Sequence, residues 1–344
     1  MDRRDFVRLL VVGTSAVVAQ PVAAQDRFRI LPSVDGPDRG APVADVGSEL
    51  RGFLGSLRIG EARTHGPLRV FWLYGAAPPG PLLVATLDDA RARGELLITE
   101  REQATVASIV VDNRGKAHVL LLAGEIVLGG KQNRVVAEDV LLPPASGPRS
   151  IAVYCVEQGR WAERSKQFHS RGSIAAPGLR SQVLARAPQP KVWEEVSRYQ
   201  ARAAAPSATG SYEAINESAA VQAHQETVDR AIDPRTPVGA QGAAVFVGET
   251  FSGLDLFQDA GLLARQWPKL LRAHALETYG RPAVAPADES RQRGRLGDLL
   301  ANAARAKGWR RPGVGTGWLV ELRLMDARGS ALVAEGQVVH AAIL

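Results

Sequence analysis

Between Thr105 and Trp161 the chain reads "TVASIVVDNRGKAHVLLLAGEIVLGGKQNRVVAEDVLLPPASGPRSIAVYCVEQGRW". Short β-branched and leucine-rich runs alternate there with turn formers: Asp112-Asn113-Arg114-Gly115, Gly129-Gly130, Pro143-Pro144 and Gly147-Pro148. The connections are too short to hold a crossover helix, so neighbouring strands must run antiparallel. Four strands in about 50 residues, joined by tight turns, point to a sandwich or a partial barrel. Asp112 to Gly115 has the composition of a hairpin turn.

The flanks add helices. "LRVFWLYG" (68–75) is an apolar run closed by Gly and hence a strand, and "LLVATLDDARARGELLITE" (82–100) reads as strand, short helix, strand. Thr86 or Asp88 supplies the helix cap, and Gly94 stands where such a helix stops. After Pro190, "KVWEEVSRYQARAAA" and "YEAINESAAVQAHQETVDRAI" carry helical patterns. "GAAVFVGETFSGLDLF" then reads as a hairpin turning at Gly248. "DAGLLARQWPKLLRAHALETYG" is a helix whose apolar face is Leu262, Leu263, Trp267, Leu270 and Leu271. A Pro-Ala linker from Pro282 to Ala287 leads to a helix with Arg291, Arg293 and Arg295 set against Leu296, Leu299, Leu300 and Ala303. "GWLVELRLMDARGSALVAEGQVVHAAIL" reads as a last hairpin. The expected class is α+β, an antiparallel β-sandwich or partial barrel with flanking helices. The expected organisation is a signal peptide over 1–24, a flexible leader over 25–50 and an α+β core over 51–280. A linker, basic amphipathic helix and terminal hairpin over 281–344 would pack on that core.

The first residues read as an address. Arg3-Arg4-Asp5-Phe6 precede an apolar run from Leu9 to Ala19, and Val22-Ala23-Ala24 give small residues at a cleavage point. A twin arginine before a short apolar region is the Tat export signal. The run is shorter than the roughly 20 residues of a membrane span. The expectation is a soluble periplasmic or secreted protein, delivered folded, with no membrane span in the mature chain. The single cysteine, Cys155, excludes an internal disulfide even in an oxidising compartment. It precedes a polar cluster in a β run and reads as a small buried apolar residue. The six histidines are scattered, without the spacing of a zinc site. A net charge of +6 with both signs mixed is an ordinary surface, and no basic stripe interleaved with aromatics marks a nucleic-acid face.

Two polar stretches stand out. In "GEIVLGGKQNRVV" Gly124 and Gly129 have the spacing of a P-loop, but Gly130 stands where its lysine belongs and the following residues favour a strand. What remains is either a glycine turn whose backbone N–H groups cradle an anion beside Lys131 and Arg134, or a solvated β-turn. In "VEQGRWAERSKQF", Glu157, Gln158, Arg160, Trp161 and Arg164 follow a strand directly. That composition suits carboxylate–guanidinium pairing and stacking on a planar ligand, and equally an ion pair that pins a loop. The candidate ligand-binding residues are Lys131, Gln132, Asn133, Arg134, Glu157, Arg160 and Trp161.

"GGKQNR" (129–134), "CVEQGRW" (155–161), "GLDLF" (253–257), "WPKLLR" (267–272) and the terminal "VVH" (338–340) stand in one order. Together they resemble the bacterial family of uncharacterised domains called ARG and rhodanese-phosphatase-superfamily-associated proteins. The likeness runs from about Leu68 to the C-terminus, and "GGKQNR" and "CVEQGRW" are its most specific parts. The resemblance implies genomic company with ADP-ribosylglycohydrolases and phosphatase-like proteins, and through it an ADP-ribose- or nucleotide-like ligand. The expected function is therefore an exported protein that binds a small anionic ligand at a polar, cationic site. The alternative is a non-enzymatic scaffold or interaction module whose polar motifs form an internal network. Burial separates the two: an open cleft shared by both stretches favours the ligand, and mutual pairing in the interior favours the scaffold.

Overall fold

A computed structural model of the chain describes residues 41–43, 46–76, 78, 80–101, 107–281 and 287–344. The stretch read as a signal peptide and most of that read as leader lie outside them, as does nearly all of the Pro-Ala linker. β1 (Ala41–Val43) and the start of α1 (Ser48–Ser56) fall within the stretch read as leader. β2 (Arg58–His65), β3 (Leu68–Tyr74), β4 (Val84–Thr86), α2 (Leu87–Ala92) and β5 (Leu96–Thr99) follow. The strand-rich segment gives β6 (Ser108–Asn113), β7 (His118–Leu121), β8 (Ile126–Val127), β9 (Arg134–Val136), β10 (Val140–Leu142) and β11 (Gly147–Cys155). Four helices come next: α3 (Pro177–Leu184), α4 (Gln189–Ala203), α5 (Glu213–Asn216) and α6 (Ala219–Ile232). The chain closes with β12 (Gly242–Val247), β13 (Thr250–Phe257), α7 (Ala260–Ala275), α8 (Glu289–Arg305), β14 (Gly308–Pro312), β15 (Trp318–Arg323), β16 (Arg328–Ala334) and β17 (Gln337–Ile343). The class is α+β, as the alternation of strand and helix patterns predicts.

The main sheet has the order β1-β14-β15-β16-β17-β13-β12-β3-β2, with antiparallel neighbours throughout. It is covered on both faces, which is why "LRVFWLY" is apolar without alternation. Successive β3 side chains point opposite ways. Val70 and Trp72 pack with Leu263 and Trp267 of α7, while Phe71 and Leu73 pack with Leu50 and Leu54 of α1 and Leu296 and Leu300 of α8. The Trp72 and Trp267 rings meet edge to face, 4.9 Å between centroids. Each such large apolar side chain, once fully buried, stabilises by roughly 1.5–3 kcal/mol. The arginines of α8 tie it to this sheet: Arg293 donates to Gly60 O (2.7 Å) and Ile59 O (3.2 Å), and Arg295 to Glu249 O.

The strand-rich segment makes two smaller sheets, ordered β5-β6-β11-β9-β8 and β10-β7-β4. Asp112 to Gly115 therefore does not close a hairpin. β6 pairs with β5 and β11, whereas β7 pairs with β10 and, in parallel, with β4. The turn carries the chain from one sheet to the other because Asn113 is buried and fully used there. Its side chain accepts from Gly115 N (2.9 Å) and donates to Ala117 O and Pro143 O (both 2.8 Å). The last hairpin is likewise a meander of β15, β16 and β17, extended by β14. Local details were legible: Thr86 caps α2 in a reciprocal capping box with Asp89, and Gly94 ends it at φ 68°.

Candidate functional site

The loop between β8 and β9 and the loop after β11 are brought together, and they meet in the interior. Gln132, Asn133, Arg134 and Glu157 are all at most 2% exposed, and Arg160 is 9% exposed. The glycine pair makes this approach feasible. Gly129 (φ 132°) and Gly130 (φ 50°) hold conformations other residues avoid, and a Cβ on Gly130 would lie 2.4 Å from Glu100 Oε1 and from Phe168 Cζ. Arg160 is the hub. Its Nη2 donates to Glu157 Oε2 (2.6 Å) and Gly129 O (3.2 Å), and its Nη1 to Gly130 O and Ala162 O (both 2.8 Å). Burial works to raise the Glu157 carboxyl pKa, but Arg160 and Thr209 outweigh it and hold the group below its ordinary value.

Three of the loop's own N–H groups are occupied. Lys131 N donates to Glu100 Oε1 (3.0 Å), Gly129 N to Asn133 Oδ1 (3.1 Å) and Asn133 N to Glu157 Oε2 (3.1 Å). Lys131 and Arg134 do not converge. Arg134 is fully buried, donates to Gln132 Oε1 (3.0 Å) and stands 3.6 Å from Glu100, whereas Lys131 turns outward over the half-exposed ring of Trp161, 5.2 Å from its centroid. Cys155 is fully buried, its Sγ donates to Glu157 O at 3.3 Å, and burial pushes the thiol pKa up. A buried, protonated thiol is a poor nucleophile. Of the seven candidate residues, only Lys131 and Trp161 reach the surface appreciably.

A second ionic network joins the other three motifs. Asp255 of "GLDLF" takes a bidentate pair from Arg180 (2.7 and 3.0 Å), and His340 of "VVH" bridges Asp255 (3.2 Å) and Asp139 (2.6 Å). Burial disfavours the imidazolium, but the two carboxylates outweigh it and raise His340 to about 9. Lys269 of "WPKLLR" contacts Glu125 closely and donates to Asp88 Oδ2 at 2.7 Å. The turn 122–125 links the two halves. Leu122 N donates to Glu125 Oε2 (2.9 Å), Ala123 N to Asp139 Oδ1 (2.8 Å), and Arg180 Nε to Ala123 O (3.2 Å).

Lys269 also lines a cavity of about 280 Å³ between α7, α5–α6 and residues 171–174. Arg171, Glu213, Asn216, Glu217, Gln222, Gln225, Glu226 and Arg272 supply most of its polar lining, and Ile174, Ala273 and Leu276 its apolar part. These residues were not among the sequence candidates, yet one signal was readable. Lys269 lies seven residues after Leu262 and so falls on the buried stripe of α7, where a charge needs partners. Glu125, set inside the apolar run "LLLAGEIVL", was the matching sign.

The family model for the ARG and Rhodanese-Phosphatase-superfamily-associated Protein domain matches residues 56–344, and the chain belongs to that family. No curated protein and no solved structure matches it.

Proposed function

Starting from that membership, we propose that the protein binds a small ligand carrying an anionic group, and that the cavity at Lys269 receives it. One observation carries the reading. Lys269 is buried on the cavity wall and gives two of its three N–H groups to Asp88 and Glu125, which leaves the third for an occupant. Burial opposes its charge, but Glu125 and Asp88 outweigh it and keep the ammonium protonated. The cavity is small, just below the roughly 300–1,000 Å³ of ligand sites, and none of its lining among the described residues is aromatic. A purine would find no stacking partner there, so the bound part is a small polar group. The residues of "GGKQNR" and "CVEQGRW" suit the alternative of an internal network, because Gln132, Asn133, Glu157 and Arg160 bond across the two stretches, although Arg134 Nε and Nη2 and Arg160 Nε are buried with no hydrogen-bond partner among the described residues.

The test is a thermal-shift screen of inorganic phosphate, small carboxylates, sugar phosphates and ADP-ribose. A small anion should raise the melting temperature of the wild type. The shift should shrink in Arg272→Ala, at the cavity rim, and persist in Lys131→Ala. The opposite pattern would move the site to Lys131 and Trp161, and no shift with any anion would leave the internal network as the better account. We also propose Tat-dependent export. Replacing Arg3 and Arg4 with Lys should leave the unprocessed chain inside the cell, and continued delivery of that variant would refute it.

A further inference from the structure

We propose that the cavity takes a hydroxylated anion of single-sugar size, a sugar acid or a sugar phosphate; this rests on the ligand-binding reading above. Its anionic group would lie on α7 and its hydroxyls on the α5–α6 wall and residues 171–174. The α7 side is cationic. Lys269 has one N–H left after Asp88 and Glu125, and Arg272 uses its Nε on Asp229 (3.0 Å), which leaves its Nη groups to fork an anion.

The rest of the polar lining mixes donors and acceptors. Asn216 Nδ2 donates to Glu213 Oε2 (2.9 Å), Gln222 Nε2 to Asn216 O (2.8 Å) and Gln225 Nε2 to Arg272 O (3.1 Å). Each bond uses one of the two N–H groups of its amide, so each side chain keeps one donor and its oxygen. Arg171 uses Nη1 on Glu213 (3.3 Å) and Glu217 (2.5 Å), which leaves Nε and Nη2 as donors on the same side. Glu226, 3.9 Å from Arg230, adds an acceptor. Ser173 adds a hydroxyl, which can do both. Its Oγ is buried and has no hydrogen-bond partner among the described residues.

Such a lining selects by pairs. A sugar hydroxyl both donates and accepts, so it is met in full where an N–H and an oxygen stand together, as they do on each amide. An ammonium would leave the N–H groups of the amides and of Arg171 without acceptors, and an alkyl anion would answer neither kind. Leaving polar groups unpaired costs most at the buried Gln225 and Ser173 Oγ, which turns the pairing into discrimination. Ile174, Ala273 and Leu276 give a short apolar strip for the C–H face of a sugar ring. A volume of about 280 Å³ holds one sugar unit with its charged group and not a dinucleotide.

The test is isothermal titration of the full chain with matched ligands. Ribose phosphate and glucose phosphate, each esterified on the terminal hydroxyl, form one arm, and gluconate and glucuronate the other. Butyl phosphate and hexanoate are their hydroxyl-poor counterparts, and ribose and glucose the neutral ones. At least one sugar anion should bind about tenfold or more tighter than both counterparts, a difference of roughly 1.4 kcal/mol. The two arms show whether α7 receives a phosphate or a carboxylate. Ser173→Ala breaks no side-chain bond among the described residues, so it should leave the melting temperature unchanged. It should weaken the sugar anion several-fold and leave the hydroxyl-poor anion unaffected, whereas Arg272→Gln should weaken both. Equal binding of a hydroxyl-poor anion overturns the hydroxyl pairing but leaves the ligand-binding reading standing. So does a sugar anion whose affinity is unchanged in both Ser173→Ala and Gln222→Ala, or a response to inorganic phosphate alone. Neutral sugars that bind as tightly as their anions overturn both readings. If nothing in the set binds and the anion screen is also silent, both fall as well.

Discussion

Arg160 and Cys155 lie five residues apart and respond to substitution for opposite reasons. Arg160 is the counter-ion of the buried Glu157 and also holds the carbonyls of Gly129, Gly130 and Ala162. Arg160→Met keeps much of the volume but leaves Glu157 charged and unpaired in the interior, where a broken ion pair costs roughly 3–5 kcal/mol. The urea midpoint should fall accordingly. Adding Glu157→Gln should recover a substantial part of the loss, because the second change removes the stranded charge. Simple additivity of the two would show that they do not act as a pair. Cys155→Ala removes only a small buried group whose sulfur makes weak contacts, among them a bond to Glu157 O (3.3 Å) and one from Glu157 N (3.4 Å), and should cost about 1 kcal/mol. Both effects are thermodynamic and need no ligand.

Elements were legible in proportion to how local their causes are. The stripe Leu262, Leu263, Trp267, Leu270 and Leu271 gives α7 from periodicity alone, and all five are buried. The β12–β13 hairpin was readable because Gly248 supplies the positive φ of its turn, 56°. Asp112 to Gly115 misled because turn chemistry fixes a reversal but not which sheet receives the next strand. α3 was missed for a related reason. "PGLRSQVL" has a short apolar stripe interrupted by Arg180, and the group that secures its start comes from elsewhere in the chain. No cap side chain serves α3. Instead Ala176 N donates to Tyr212 Oη (2.9 Å) and Gly178 N to Tyr199 Oη (3.1 Å). Helix starts need such acceptors. Tyr212→Phe should therefore cost about 1 kcal/mol, the usual cost of a lost cap, and speed amide exchange at Ala176. Unchanged exchange there would show that the hydroxyl is dispensable. The cavity was illegible on the same ground, since Lys269, Glu213 and Gln225 come from three helices that no local pattern brings together.

At the scale of the whole molecule, one buried ionic seam runs from Asp88 through Lys269, Glu125, Arg180 and Asp255 to His340 and Asp139, and it joins α2, α3, α7, β13 and β17. Its pH response is set mainly by His340. In the folded protein this histidine titrates at about 9, against 6.5 for the ordinary side chain. The folded state therefore holds a proton that the unfolded chain releases. The stabilisation is complete below pH 6.5 and is lost as the pH rises through 9. A tenfold change in proton affinity corresponds to about 1.4 kcal/mol, so the full loss is on the order of 3 kcal/mol. His274 acts in the other direction: burial lowers it to about 4, and its contribution, present above 6.5, is lost as the pH falls through 4. Unfolding free energy measured in urea should then decline steadily between pH 6.5 and 8.5. Raised carboxyls such as Glu125, Glu195 and Glu213 also lose stabilisation as pH rises, so the decisive quantity is a difference in slope. His340→Gln keeps a polar side chain and cannot titrate, and its stability should fall less steeply than the wild type's over that interval. Equal slopes, or a wild type flat from 6.5 to 8.5, would show that the imidazole is not charged in the core and that the seam is held by the Arg180–Asp255 and Lys269 ion pairs without it.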